Sequence, residues 1–280
     1  MGAPPAELLS LNTATTCKQW RLAQAIEGCA RHGIRGIAPW RDQLHEMGVQ
    51  AAAKAIRDHG LTVTGLCRGG MFPAADTAGR KAAIEDNLRA VDDAQALEAQ
   101  CLVLVVGGLP AGSKDIAAAR EQVRDGIAAI LPHARKADVP IAIEPLHPMY
   151  AADRACVNSL AQALDLCDTL DPNNDGGLGV ALDVYHVWWD PQLEYGIERA
   201  GKRRLLAFHI CDWLVPTRDL LTDRGMMGDG VIDLPRIRSW VERTGYRGFH
   251  EVEIFSELDW WKRDPDEVLR TCKDRHQRFC

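Results

Sequence analysis

The chain has 280 residues, a formal net charge of -6 and 46% hydrophobic residues, enough for one large core and a single domain over 1–280. Mild acidity without a dense Lys/Arg block argues against a nucleic-acid partner. No apolar run approaches the ~20 residues that span a membrane, and the first residues lack the charged and apolar regions of a signal peptide, so a cytoplasmic location is expected.

Strand-length apolar runs alternate with helix-length segments. The first run, "ELLSLN", ends near Asn12. "TCKQWRLAQAIEGCARHG" has apolar residues at helical spacing and closes on Gly33, a left-handed cap position. "GIRGIAPW" ends near Trp40, "QLHEMGVQAAAKAIRDHG" is read as one helix closing on Gly60, and "LTVTGLC" ends near Cys67. A long helix from "DTAGRKAAIEDNLRAVDDAQAL" precedes "CLVLVVGG", and another from "AAAREQVRDGIAAILPHARKA" precedes "VPIAIEP". "NSLAQALDLCDTL" leads to "LGVALD", then come "LLAFHICD", the helix "DLPRIRSWVERTG" capped by Asp233, and "FHEVEIF". Eight strand-like runs alternating with helices predict a closed (β/α)8 barrel of the TIM type. The rival open sheet would carry a glycine-rich phosphate turn after its first strand, and "LNTATT" has none. The nine cysteines are scattered with no C-x-x-C pair, so zinc-ribbon and thioredoxin readings fail and buried thiols are expected.

In such a barrel the reactive end is the C-terminal rim of the strands. The last four runs end on Glu144, Asp183, His209 and Glu253. Adjacent strands lie ~4.8 Å apart, so four such side chains can converge on one cation. Alternation along the strands places Ala142, Ala181 and Ala207 one layer below three of these residues and turns Ile143, Leu182, Phe208 and Ile210 towards the helices. The same alternation turns Glu251 inwards. It would either orient a ligand or pair with a base such as Arg35, and a bulge could exchange Glu251 for Glu253 as the fourth ligand. Three carboxylates and one imidazole suit one divalent ion, Mn²⁺ first, with Mg²⁺ or Co²⁺ as alternatives.

Six tryptophans, Trp40, Trp188, Trp189, Trp213, Trp260 and Trp261, follow predicted strand ends. Rings there can wall in a substrate, with the adjacent pair Trp188 and Trp189 and also Trp40 and Trp213 as that wall, or line a contact in a homo-oligomer. Arg68 and Arg224 fall in predicted rim loops, where either could hold a hydroxyl, a carbonyl or a phosphate.

The stretches "IAIEPLHP", "ALDVYHV", "AFHICD", "MMGDGVIDL" and "GYRGFHEVEIFS" resemble the xylose-isomerase-like barrel superfamily in its sugar phosphate isomerase/epimerase branch. The resemblance implies a divalent ion held by Glu144, Asp183, His209 and Glu253, with His186 near the bound sugar. It also implies that Glu144 and Glu253 flank the reacting carbon as acid and base. The reaction would then be isomerisation or epimerisation by proton abstraction α to a carbonyl, through a metal-stabilised enediolate. Some epimerases of this group carry a glutamate six residues after the first ligand, where this chain has Tyr150. His147 resembles the base of 3-oxo-glycoside deglycosidases, so the alternative is a lyase acting by β-elimination or as an inosose-type dehydratase. An endonuclease of the same barrel would want more His ligands and a basic face, and a non-catalytic binding barrel would not need an intact quartet.

Overall fold

The computed structural model describes residues 2–280. Nine parallel strands form one sheet: β1 (Leu9–Asn12), β2 (Gly36–Ala38), β3 (Thr62–Val63), β4 (Leu66–Gly70), β5 (Leu102–Val105), β6 (Ile141–Ile143), β7 (Leu178–Asp183), β8 (Leu205–Ile210) and β11 (His250–Val252). Their order is β3-β2-β1-β11-β8-β7-β6-β5-β4. The predicted run "LTVTGLC" supplies both ends of that order. It is divided at Thr64 and Gly65 because β3 pairs with β2 while β4 pairs with β5. The ring closes where Trp40, just past β2, bridges Cys67 of β4 in parallel, with the Cys67 N–H donating to the Pro39 carbonyl at 3.0 Å. The architecture is a nearly closed TIM barrel, as the alternation predicts. Two further short strands, β9 (Asp212–Trp213) and β10 (Arg224–Gly225), pair antiparallel on the rim.

The helices are α1 (Leu22–His32), α2 (Arg41–Met47), α3 (Val49–Asp58), α4 (Thr77–Ala96), α5 (Ile116–Lys136), α6 (Leu160–Leu170), α7 (Val184–Val187), α8 (Leu193–Arg204), α9 (Leu234–Arg243) and α10 (Pro265–Phe279). The single helix expected before Gly60 is two, because Gly48 sits at φ +89° and breaks the spiral between α2 and α3. Helices α7, α8 and α10 went unpredicted. In α10 only Val268, Leu269, Cys272 and His276 are buried, a thin stripe in a charged segment that periodicity alone underweights.

The core follows the predicted alternation. Ile143, Leu182, Phe208 and Ile210 join the layer between sheet and helices, while Ala142, Ala181 and Ala207 join a separate inner layer with Cys67, Cys101 and Val103. That inner layer is made of small side chains. It leaves the barrel axis above it open to larger polar groups.

Candidate metal centre and active site

The register of neighbouring strands builds the centre. Asp183, the last residue of β7, lies beside His209 of β8, and Glu251 of β11 lies on the other side of His209. Glu144 follows β6 directly, and Glu253 is the next inward position after Glu251. Ligand atoms of Glu144, Asp183, His209 and Glu253 all lie within 4.8 Å of one another, and all four residues are buried. The His209 Nδ1 faces the Glu144 Oε1 at 3.1 Å and the Glu253 Oε2 at 3.8 Å.

Three buried carboxylates this close repel one another. Burial pushes the Glu253 carboxyl up to about 8; Arg224 opposes that shift and Glu144 adds to it. Burial also favours a neutral His209, but Glu251, Glu144 and Glu253 outweigh it and raise its pKa well above the usual range. Glu144 Oε1 and both ring nitrogens of His209 are buried without a well-formed hydrogen bond. Of these, Glu144 Oε1 and His209 Nδ1 face one another beside the Asp183 and Glu253 carboxylates, and that donor set fits a divalent cation.

Glu251 pairs with no arginine, and Arg35 is exposed. Its Oε1 accepts from Asn12 Nδ2 and its Oε2 from Thr64 Oγ1, each at 2.8 Å, and Oε1 stands 3.5 Å from His209 Nε2. The carboxylate is therefore satisfied from below and faces the ring nitrogen that points away from the quartet, as in a carboxylate–histidine–metal arrangement. Asn12 was not singled out from sequence, although it is the polar end of the first strand and follows the same strand-end rule. It also accepts from Trp40 Nε1 at 2.8 Å and so anchors that ring.

Arg224 does not project from a loop into solvent. It is 3% exposed on β10, and its Nη1 donates to Asp183 Oδ2 at 2.9 Å and to Glu253 Oε2 at 3.1 Å. Its guanidinium lies over the Tyr185 ring at 4.5 Å and the Phe255 ring at 5.1 Å. Burial pushes Asp183 up, but Arg224 and then His186 and His209 outweigh it and hold the carboxyl below its ordinary range. Asp183 Oδ1 meanwhile caps α7 by accepting from the Tyr185 N–H at 2.8 Å. The cap turns the chain so that His186 faces the centre. Arg224 Nη2 lies 3.2 Å from His186 Nε2. Arginine only donates, so Nε2 accepts and Nδ1 carries the proton. That Nδ1 is buried and unpartnered, and burial holds the ring neutral, with its pKa down to about 3.

A cavity of about 220 Å³ opens above the quartet. Its wall includes Glu144, Glu253, Trp40, Arg68, His186 and Arg224. Trp188, Trp189, Trp213 and His147, expected there, are not on that wall. His147 stacks on Trp213 with ring centroids 5.1 Å apart, and the Trp188 ring lies 5.7 Å from that of Trp213. His147 Nδ1 accepts from the Met149 N–H at 3.2 Å, capping the 3-10 turn Pro148–Tyr150. Trp189, 37% exposed, donates its Nε1 to the His186 carbonyl. Tyr150, in place of the epimerase glutamate, donates to the Leu220 carbonyl at 2.5 Å, and Tyr185 donates to the same oxygen at 3.2 Å. Both rings thus tie the 214–223 loop down beside the cavity.

A barrel whose strand ends gather three carboxylates and an imidazole around one gap belongs to a recognised group. Residues 26–272 match the family described as Xylose isomerase-like TIM barrel, and the chain belongs to that family. Among curated relatives, inosose isomerase of Bacillus velezensis is 22% identical over 273 residues, covering 95% of this chain and 94% of the relative. L-ribulose-5-phosphate 3-epimerase UlaE of Shigella flexneri serotype 5b is 25% identical over 229 residues, covering 79% and 74%. Among solved structures, the protein SMc04130 of Sinorhizobium meliloti 1021 is 62% identical with a TM-score of 0.96, and 99% of each chain is covered. The curated relatives are thus a sugar-type isomerase and a sugar phosphate epimerase. No described helix is long and apolar enough to cross a membrane.

Proposed function

We propose that the protein is a divalent-metal-dependent sugar isomerase or epimerase that moves a proton α to a carbonyl. The observation that carries this reading is the buried quartet with its orphaned Glu144 Oε1 and His209 Nδ1 beneath an open cavity. Glu144, Asp183, His209 and Glu253 would hold the ion. When bound, it supplies a Lewis acid for the negative charge that develops on the substrate oxygen.

The rest of the chemistry falls to side chains. Of the quartet, only Glu144 and Glu253 also line the cavity. This supports them as the pair that takes the α proton from one face of the sugar and returns it. His186, neutral with its Nδ1–H unpartnered, would donate to a substrate oxygen. Arg224 bridges Asp183 and Glu253 and holds both carboxylates in place as charge shifts. Trp40 and Phe255 supply apolar wall that excludes water. Beta-elimination with His147 as base is not favoured. Its Nδ1 already accepts a hydrogen bond, so in the neutral ring the proton sits on Nε2 and no free lone pair faces a substrate. All nine cysteines are free, which supports a reducing, cytoplasmic setting.

The test is solvent exchange. Protein reloaded with Mn²⁺, Mg²⁺, Co²⁺ or Zn²⁺ is incubated with ketoses and inososes in D₂O, and the carbon next to the carbonyl is followed by NMR. Ion-dependent deuterium uptake that disappears in Glu144→Gln and Glu253→Gln is expected. Ion binding that survives loss of any two of the quartet residues would refute the reading.

A further inference from the structure

The cavity carries two more cations, which the chemistry above does not use. Arg68 projects from β4 and Arg154 from the loop after the 3-10 turn, and both line the same wall as Glu144. Arg154 is anchored through its backbone: its carbonyl accepts from the Gly107 N–H at 3.0 Å, and its own N–H donates to the Tyr150 carbonyl at 3.0 Å. Its guanidinium lies over the Tyr150 ring, 5.6 Å from the centroid. Among the described residues, neither guanidinium has a carboxylate within ion-pair distance or a side-chain hydrogen bond.

The other buried or half-buried arginines among the described residues each have a partner: Arg80 donates to Thr77 Oγ1 and Arg120 to the Cys156 carbonyl. Arg41 pairs with Asp86 and Asp93, Arg204 with Asp171, and Arg224 with Asp183 and Glu253. Asp153 also lines the cavity, but it is exposed and forms no ion pair with either arginine. Burial, and next to it the charge of Arg154, pull the Arg68 guanidinium below its ordinary pKa, as expected of two cations that share a wall without a counter-ion. Unpaired cations in a concave site are placed to meet an anion from outside.

Resting on the proposed sugar chemistry at the quartet, we propose that Arg68 and Arg154 form an anion subsite, so that the substrate is a sugar derivative bearing a carboxylate or a phosphate away from its carbonyl. The quartet and its ion, at the ends of β6, β7, β8 and β11, take the carbonyl end. The arginines take the charged end, towards β4 and β6.

The experiment uses the full chain loaded with Mn²⁺. D-fructose, D-fructose 6-phosphate and D-fructuronate, which share a ketose frame and differ in terminal charge, are titrated calorimetrically into the wild type, Arg68→Gln, Arg154→Gln and the double variant. The glutamines keep much of the side-chain volume. At least one anion is expected to bind about 10- to 100-fold tighter than fructose, with the preference falling to a few-fold or less in the double variant. Which anion wins tells phosphate from carboxylate. Equal affinity for neutral and charged ketoses in the wild type, or a preference that survives in the double variant, overturns the subsite and leaves the sugar reading standing. If none of the three binds, inorganic phosphate titrated into the metal-free protein separates the two ideas. Arginine-dependent phosphate binding keeps the subsite and its absence overturns it, while the sugar reading is decided by the deuterium exchange, which includes inososes.

Discussion

Glu251→Gln isolates the carboxylate that stands behind His209. The glutamine keeps the shape, and one of its polar ends can still accept from Asn12. Thr64 Oγ1 can turn to accept from the new amide because Ser10 Oγ, 2.8 Å away, can serve as its other partner. Folding stability should therefore change little. What disappears is the negative charge opposite the His209 ring nitrogen that points away from the quartet. Loss of such an outer partner typically lowers metal affinity about 10- to 100-fold. The contact is 3.5 Å, long for a hydrogen bond, so the lower end is expected, about tenfold or about 1.4 kcal/mol. Competition against a fluorescent chelator, with Mn²⁺ at pH 7.5, measures it. Affinity within twofold of wild type would refute the idea that Glu251 orients His209. A large fall in melting temperature would instead assign any loss to the fold.

Three further outcomes are expected. His250 and His276 form a buried pair, with Nδ1 of His250 3.0 Å from Nε2 of His276, and burial holds their pKa values down to about 3 and about 4. The unfolded chain then takes up protons first. Their contribution is full above about pH 6.5 and is lost as pH falls towards 4, at about 1.4 kcal/mol per pH unit for each ring. Urea unfolding at pH 7 and pH 5 should show that slope reduced in His276→Leu; an unchanged slope would contradict it. Gly70 sits at φ +104°, and an added Cβ would lie 2.0 Å from the Val105 carbonyl oxygen. Gly70→Ala should thus lose about 2–4 kcal/mol in a urea midpoint measurement. His147→Ala should retain deuterium exchange within about threefold, because its ring lies off the cavity wall; a loss of 100-fold or more would restore it as the base.

Much of the frame was legible in the chain order. Eight apolar runs and their glycine stops predict the ring, and period-two alternation alone places Ala142, Ala181 and Ala207 inside and Leu182 and Phe208 outside. Strand ends carrying Glu144, Asp183, His209 and Glu253 identify the quartet because a barrel brings the ends of neighbouring strands to one rim. The helix α10 was missed because its buried stripe is narrow, and the break at Gly48 because a glycine inside a helical pattern reads the same whether it is tolerated or terminates the helix.

What the sequence determined by itself is local in kind: which residues form strands, which face each presents, and which polar types stand at the strand ends. These follow from backbone geometry that repeats every two or 3.6 residues. Only the tertiary structure decided that Arg224 enters the acidic cluster, that Glu251 meets Asn12 and Thr64 rather than Arg35, that His147 turns to an aromatic stack, and that Arg68 and Arg154 share a wall. Those pairings join segments up to 239 residues apart. They depend on ring closure and on the paths of the rim loops, which no repeating pattern along the chain encodes.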